Sequence, residues 1–99
     1  MTINELKEGN KLTIALSGRI DTITAPELEQ VINSGLNGIN ELIFDLAELE
    51  YMSSAGLRVM LTAKKKMDTQ GGKMTVCNVN ETIMEIFEIT GFADILTIE

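Results

Sequence analysis

The 99-residue chain has no histidine, no tryptophan and a single cysteine, Cys77. Each absence closes off a kind of chemistry. One thiol cannot form an internal disulfide, and without histidine no Ser-His or Cys-His nucleophile pair can be assembled. The same gaps leave no donor set for zinc, so no metal and no cofactor is expected. Aromatics are scarce too: Phe44, Tyr51, Phe87 and Phe92 are the only four, which implies an aliphatic core with methionine as filler. Eight basic residues stand against fifteen acidic ones, for a net charge of −7. Binding to DNA or RNA needs clustered cations, so nucleic acid is disfavoured as a partner. The only basic run, Lys64-Lys65-Lys66, would fan over most of a helical turn and reads as a solvated face. No apolar stretch reaches the length of a membrane span, and no charged-then-apolar leader opens the chain. The expectation is a soluble, cytoplasmic protein.

What is present suffices for one compact domain over residues 1–99. Residues 2–8, TINELKE, make a weak strand, and Glu8-Gly9-Asn10 signals a turn. Lys11 to Ser17 alternates, with Leu12, Ile14 and Leu16 on one face, so the chain opens with a hairpin. Gly18-Arg19-Ile20-Asp21 leaves that strand. Thr24 with Glu27 then matches a capping box, and Pro26 suits the first turn of the helix that follows. Leu28, Val31, Ile32 and Gly35 form its apolar stripe, and Asn37-Gly38 ends it. Next comes a strand over residues 41–46 and a loop carrying Glu48 and Glu50. A second helix runs from Ala55, with Gly56, Val59, Met60, Ala63 and Met67 on one face and Arg58, Thr62, Lys65 and Thr69 opposite.

Gln70-Gly71-Gly72 terminates that helix. A strand over 73–78 holds Met74 and Val76 on one side, and its Cys77 is expected to be a buried thiol. Asn80 caps a third helix bearing Ile83, Ile86 and Phe87, which stops at Thr90-Gly91, and a strand over 94–98 closes the chain. The order β-β-α-β-α-β-α-β predicts an α/β domain whose sheet is mixed but mainly parallel, with the weak N-terminal hairpin strand at its margin. No extended apolar face is left over once the helices are packed, so the free chain is expected to be a monomer.

Residues 42–61, LIFDLAELEYMSSAGLRVML, organise the rest. A buried strand feeds a loop, and the loop feeds a helix with two hydroxyls at its amino end, where free N–H groups and the helix dipole suit an anion. A phosphate on Ser54 would add roughly −1.5 to −2 charge at neutral pH. The helix start would accommodate that charge locally, whereas a partner laid over the loop would meet new charge and bulk. The plainer role for Ser53 or Ser54 is an N-cap contributing about 1 kcal/mol, and from the residues alone that role is the commoner. Gly56 permits a close approach, either of a partner or of the helix to its own sheet. Arg58, one turn after Ser54, can meet a partner carboxylate or stay solvated. Asp21 can form a turn or touch a partner, and Asp45 is expected to be tied to loop N–H groups. As a catalytic pair, Asp21 and Asp45 give a weak signal without a pocket or a second polar constellation.

The string DLAELEYMSSAGLRVML resembles the core motif of STAS domains, the family of bacterial anti-sigma factor antagonists. Gly18-Arg19-Ile20-Asp21 is similar to the motif that precedes the family's first helix, and residues 78–94, NVNETIMEIFEITGFAD, resemble its closing helix. The resemblance spans the whole chain and implies helices packed mainly on one side of the sheet. It also implies a binding module and kinase substrate with no catalytic residues. In the partner-switching members of that family the unmodified antagonist binds an anti-sigma factor that is also a serine kinase, freeing the sigma factor. Phosphorylation of a loop serine releases the antagonist, and a serine phosphatase resets it. Carried over, the acceptor falls on Ser54, with Ser53 as second choice, and Asp21, Ser53, Gly56, Leu57 and Arg58 lie in or beside the partner surface. Sporulation-type members have D-S-S-G where this chain has Ser53-Ser54-Ala55-Gly56, which leaves the particular partner open. A different function within the same fold is an unmodified subunit docking to a transporter, such as a lipid-transport ABC system, or to another signalling complex.

Overall fold

The hairpin turns at Gly9, whose φ of +64° favours glycine. Strands β1 (Thr2–Glu8) and β2 (Lys11–Ile20) flank it in antiparallel register, with Glu8 opposite Lys11 and Thr2 opposite Ser17. In the computed structural model, which describes residues Met1–Glu99, helix α1 (Ala25–Gly35) follows, then strand β3 (Glu41–Met52), helix α2 (Ser54–Thr69), strand β4 (Lys73–Cys77) and helix α3 (Glu81–Thr90). A short 3-10 turn at Phe92–Asp94 leads into strand β5 (Thr97–Ile98). The closing strand is thus shorter than the expected 94–98, and β4 stops one residue early because Asn78 takes a φ of +56°.

The five strands lie in sequence order, β1-β2-β3-β4-β5, and every pairing after the first is parallel. Right-handed crossovers between sequential neighbours always place the helix on the same side. All three helices therefore cover one face, as the resemblance implies. That face supplies Leu12, Ile14, Leu16, Leu42, Phe44, Met74 and Val76 to a core of 24 buried hydrophobic residues that contains no buried polar side chain. On the uncovered face one row crosses the whole sheet, Leu6, Thr13, Ile43, Thr75 and Thr97 in register. Cys77 belongs to that face and is half-buried rather than fully enclosed. Partial burial there pushes its thiol pKa up, and the nearby Asp45 and Glu99 carboxylates add to the shift.

Two expectations about the strands need correcting, and both bear on the site. β2 does not end at Ser17: it runs on to Ile20 through Gly18, which sits within the strand at φ +90°. β3 does not end at residue 46 either, and Glu48 and Glu50 lie inside it rather than in a loop. The register shows why. Ala15 pairs with Asp45 but Ser17 pairs with Glu48, and Gly18 pairs with Leu49 but Arg19 with Tyr51, so β3 gains one extra residue at each of two bulges. Its buried positions change from alternation to every third residue, Leu46, Leu49 and Met52. A period of two is broken there although the strand persists.

Candidate functional site

Because both strands are longer than expected, the carboxyl ends of β2 and β3 finish level, with Ile20 paired to Met52. The Ser53 N–H donates to the Ile20 carbonyl at 2.8 Å, so the two exit loops leave the sheet side by side. One is Asp21–Thr24 and the other is the serine pair. Asp45 lies well short of this edge. Its Oδ1 accepts from the Ala47 N–H and from Asn78 Nδ2, both at 3.0 Å, which ties the end of β4 to the first bulge. Asp45 is thus tied to a backbone N–H as expected, but one inside β3 rather than in a loop, and the two aspartates sit at different levels of the sheet.

Asp21 organises its loop. Oδ1 accepts from the Ile23 and Thr24 N–H groups at 3.0 Å each, and the Asp21 N–H donates to Thr24 Oγ1 at 2.9 Å. The Thr24 hydroxyl in turn donates to the Arg19 carbonyl at 2.9 Å. These bonds explain a carboxyl held below its usual pKa. The Thr24 N–H contributes most, the Ile23 N–H, the Thr24 hydroxyl and Arg19 also favour the anion, and partial desolvation opposes them. The expected capping box is therefore absent. Thr24 has helical backbone angles and makes no cap bond to α1, because its hydroxyl is engaged upstream. Ile23, at the tip of the loop, is 85% exposed.

Across from it, neither serine side chain caps α2. Ser53 occupies the cap position in extended conformation, yet it makes no side-chain bond to the helix. Its Oγ is buried and has no partner. An unsatisfied hydroxyl of this kind costs about 1–3 kcal/mol. Ser54 is the first residue of α2 and is exposed. The first intrahelical bond runs from the Leu57 N–H to the Ser53 carbonyl at 3.1 Å. The N–H groups of Ser54, Ala55 and Gly56 therefore point ahead of the helix with no acceptor in the ladder, as an anion site requires.

Gly56 and Leu57 face inward. A Cβ on Gly56 would lie 2.7 Å from both Ile20 Cγ2 and Met52 Cγ, so this glycine seats the first turn of α2 directly on the two strand ends. Leu57 is 6% exposed. Arg58 stands outside on the solvent face. The guanidinium of Arg19 lies 4.6 Å from the Tyr51 ring centre at the same edge. Sequence reasoning passed over the residues on the far side of the serines. Tyr51, Ile86 and Ile89 join Ser53, Ser54 and Leu57 around a groove of about 260 Å³ between the start of α2 and the end of α3. Ile89, 77% exposed, was the available signal: an isoleucine beside the apolar stripe of a short helix. An apolar groove is thus left on the surface after the helices are packed.

The geometry offers small hydroxyls, a helix start and apolar neighbours, and it assembles no acid–base pair. No group of acidic and thiol side chains comes together as a metal site, and no helix is long and apolar enough to cross a membrane. A family model described as the STAS domain matches residues 3–99. The anti-sigma-B factor antagonist of Bacillus subtilis is 32% identical over 100 residues, covering 99% of this chain and 92% of that protein. The crystal structure of an anti-sigma factor antagonist from Mycobacterium paratuberculosis has a TM-score of 0.86 at 24% identity, over 98% of this chain and 83% of that one. The phosphorylated form of the Bacillus cell fate determinant SpoIIAA has a TM-score of 0.79 at 16% identity, over 99% and 91% of the two chains. At such identities the two structures speak for the fold, while the family model and the Bacillus subtilis relative assign the lineage. The chain belongs to the STAS domain family, in the company of the anti-sigma factor antagonists.

Proposed function

We propose that the protein is an anti-sigma factor antagonist whose binding is switched off by phosphorylation of Ser54. Unmodified, it binds an anti-sigma factor that is also a serine kinase and so releases a sigma factor in the cytoplasm. A serine phosphatase returns it to the binding form. The observation that supports Ser54 as acceptor is the contrast within the pair. Ser54 is exposed at the first position of α2, whereas the Oγ of Ser53 is buried. A kinase needs its acceptor hydroxyl in line with a phosphoryl donor, which a buried oxygen cannot offer. The free N–H groups of the first turn would hold the new dianion, so the domain tolerates the modification and the partner does not.

In this reading Asp21 meets the partner through Oδ2, since Oδ1 is occupied by its own loop. Arg58 reaches the partner from the solvent face, and Ser53 gains a partner for its hydroxyl on binding. Gly56 and Leu57 act from below by fixing where the first turn of α2 stands. The test is incubation with ATP and a purified serine kinase encoded beside the gene, followed by intact-mass spectrometry and fragment mapping. One phosphate on Ser54, with kinase binding retained by Ser54→Ala and abolished by Ser54→Asp, is the expected result. No phosphate from a kinase active on another substrate, with binding that survives both substitutions, would instead make the chain an unmodified docking subunit.

A further inference from the structure

Charge is distributed unevenly along the chain. Residues 74–99 contain Glu81, Glu85, Glu88, Asp94 and Glu99, and neither lysine nor arginine. Glu81, Glu85 and Glu88 stand on α3 at helical spacing, which stacks them along one exposed ridge. None has a cationic partner, for the only ion pair in the molecule joins Lys64 to Asp68 on α2. Like charges at this spacing destabilise the helix that bears them. The ridge lines a neighbouring hollow with Val79 and Met84, and it meets the apolar groove at one edge, where Glu85 lies one turn before Ile89 and Glu88 is its immediate neighbour. Opposite Ile86 and Ile89, the other wall carries Leu57 and Ser54.

We propose that this groove and its acidic rim dock a basic amphipathic segment of a partner protein. An aliphatic or aromatic anchor fills the space between Leu57 and Ile86–Ile89, and lysines or arginines lie along Glu81, Glu85 and Glu88. The charges select this occupant. A second copy of the chain, at −7, would bring the same acidic ridge against its own groove in a two-fold interface. An anionic lipid surface would be repelled by the same ridge. A segment rich in cations is attracted and correctly oriented by it, while the anchor supplies the desolvated centre. The proposal deepens the reading of Ser54 as a switch, because that hydroxyl lines the groove and anything seated there lies against it.

The test uses three synthetic helical peptides titrated into the 15N-labelled protein and followed by amide chemical shifts. One alternates leucine and lysine with amphipathic spacing, one replaces lysine by glutamate, and one replaces leucine by serine. The leucine–lysine peptide is expected to give saturable shifts at Tyr51, Leu57, Ile86 and Ile89. Binding should weaken at least about tenfold, or about 1.4 kcal/mol, for either control peptide and for the variants Ile89→Asp and Glu85→Lys/Glu88→Lys. Both variants alter exposed positions, and unchanged shifts elsewhere verify their fold. Equal binding of the glutamate peptide, shifts spread over other acidic surfaces, or groove shifts that depend on protein concentration without peptide would overturn the proposal. No kinase enters this titration, so the Ser54 reading can fail while the groove holds, and the reverse.

Discussion

Asn80 joins two elements through one small side chain. Its Oδ1 accepts from the Ile83 N–H at 2.9 Å, capping α3, and its Nδ2 donates to the Leu49 carbonyl at 2.8 Å, between the two bulges of β3. Removing a cap of this type costs about 1 kcal/mol. Losing the tether removes a net hydrogen bond worth roughly 0.5–1.5 kcal/mol. Asn80→Ala should therefore destabilise the protein by about 2 kcal/mol, and its melting temperature should fall by about 8–16 °C for a domain of this size. Asn80→Ser separates the two contributions, since a serine can still cap but cannot reach Leu49. It should fall about midway between wild type and alanine. Urea unfolding monitored by circular dichroism gives all three stabilities. An alanine variant within about 0.5 kcal/mol of wild type, or a serine variant no better than alanine, would refute the division of labour argued from these two bonds.

Two further outcomes follow from the same geometry. Gly56→Ala must fit a methyl against Ile20 and Met52, each at 2.7 Å from the added carbon. Overpacking of about 1–3 kcal/mol exceeds the gain of up to about 1 kcal/mol from removing a helical glycine, so unfolding should show a net loss of about 1–2 kcal/mol; a variant as stable as wild type would sink the close-packing role. Asp21, whose folded pKa is lowered, favours the folded state above its unfolded pKa, and this contribution disappears as pH falls through the lower folded value. Asn at position 21 keeps the oxygen acceptor without the charge, so the stability gap between wild type and Asp21→Asn should close on acidification from pH ~5 to ~2.5. A gap that stays constant across that range would show that the carboxylate charge has no part in holding the loop.

The order of elements was legible because each signal was local. Gly9 at the hairpin, the stripe from Gly56 to Met67 and Asn80 before α3 all behave as their residue types suggest. What was hidden depended on pairing. The segment Leu46–Met52 buries every third residue, and only its register with β2 shows that a strand with bulges does this rather than a loop. Thr24 and the serine pair suit caps by residue type because they precede helices, but a hydroxyl bonds whichever acceptor or donor is nearer. For Thr24 that is the Arg19 carbonyl, and for Ser53 there is none. The serine pair was visible as a site from its motif, while its unequal exposure was not, since adjacent serines in a sequence look alike. The groove escaped notice because its walls come from helices separated in sequence by about thirty residues, an arrangement that only the fold produces.

β4 pairs with β3 only as far as Asp45, so everything from Leu46 to Met52 has β2 on one side and no strand on the other. A two-stranded ribbon by itself is marginal in water. Here it extends past the sheet like a cantilever, with the serines at its free end, and α3 is the strut beneath it, fastened through Asn80 to Leu49. The steadiness of Ser54 thus depends on α3, both across the groove they share and through the bond at Leu49, five residues before it. A ligand that grips α3 would brace the whole tip, and one that prises α3 away would set it swinging.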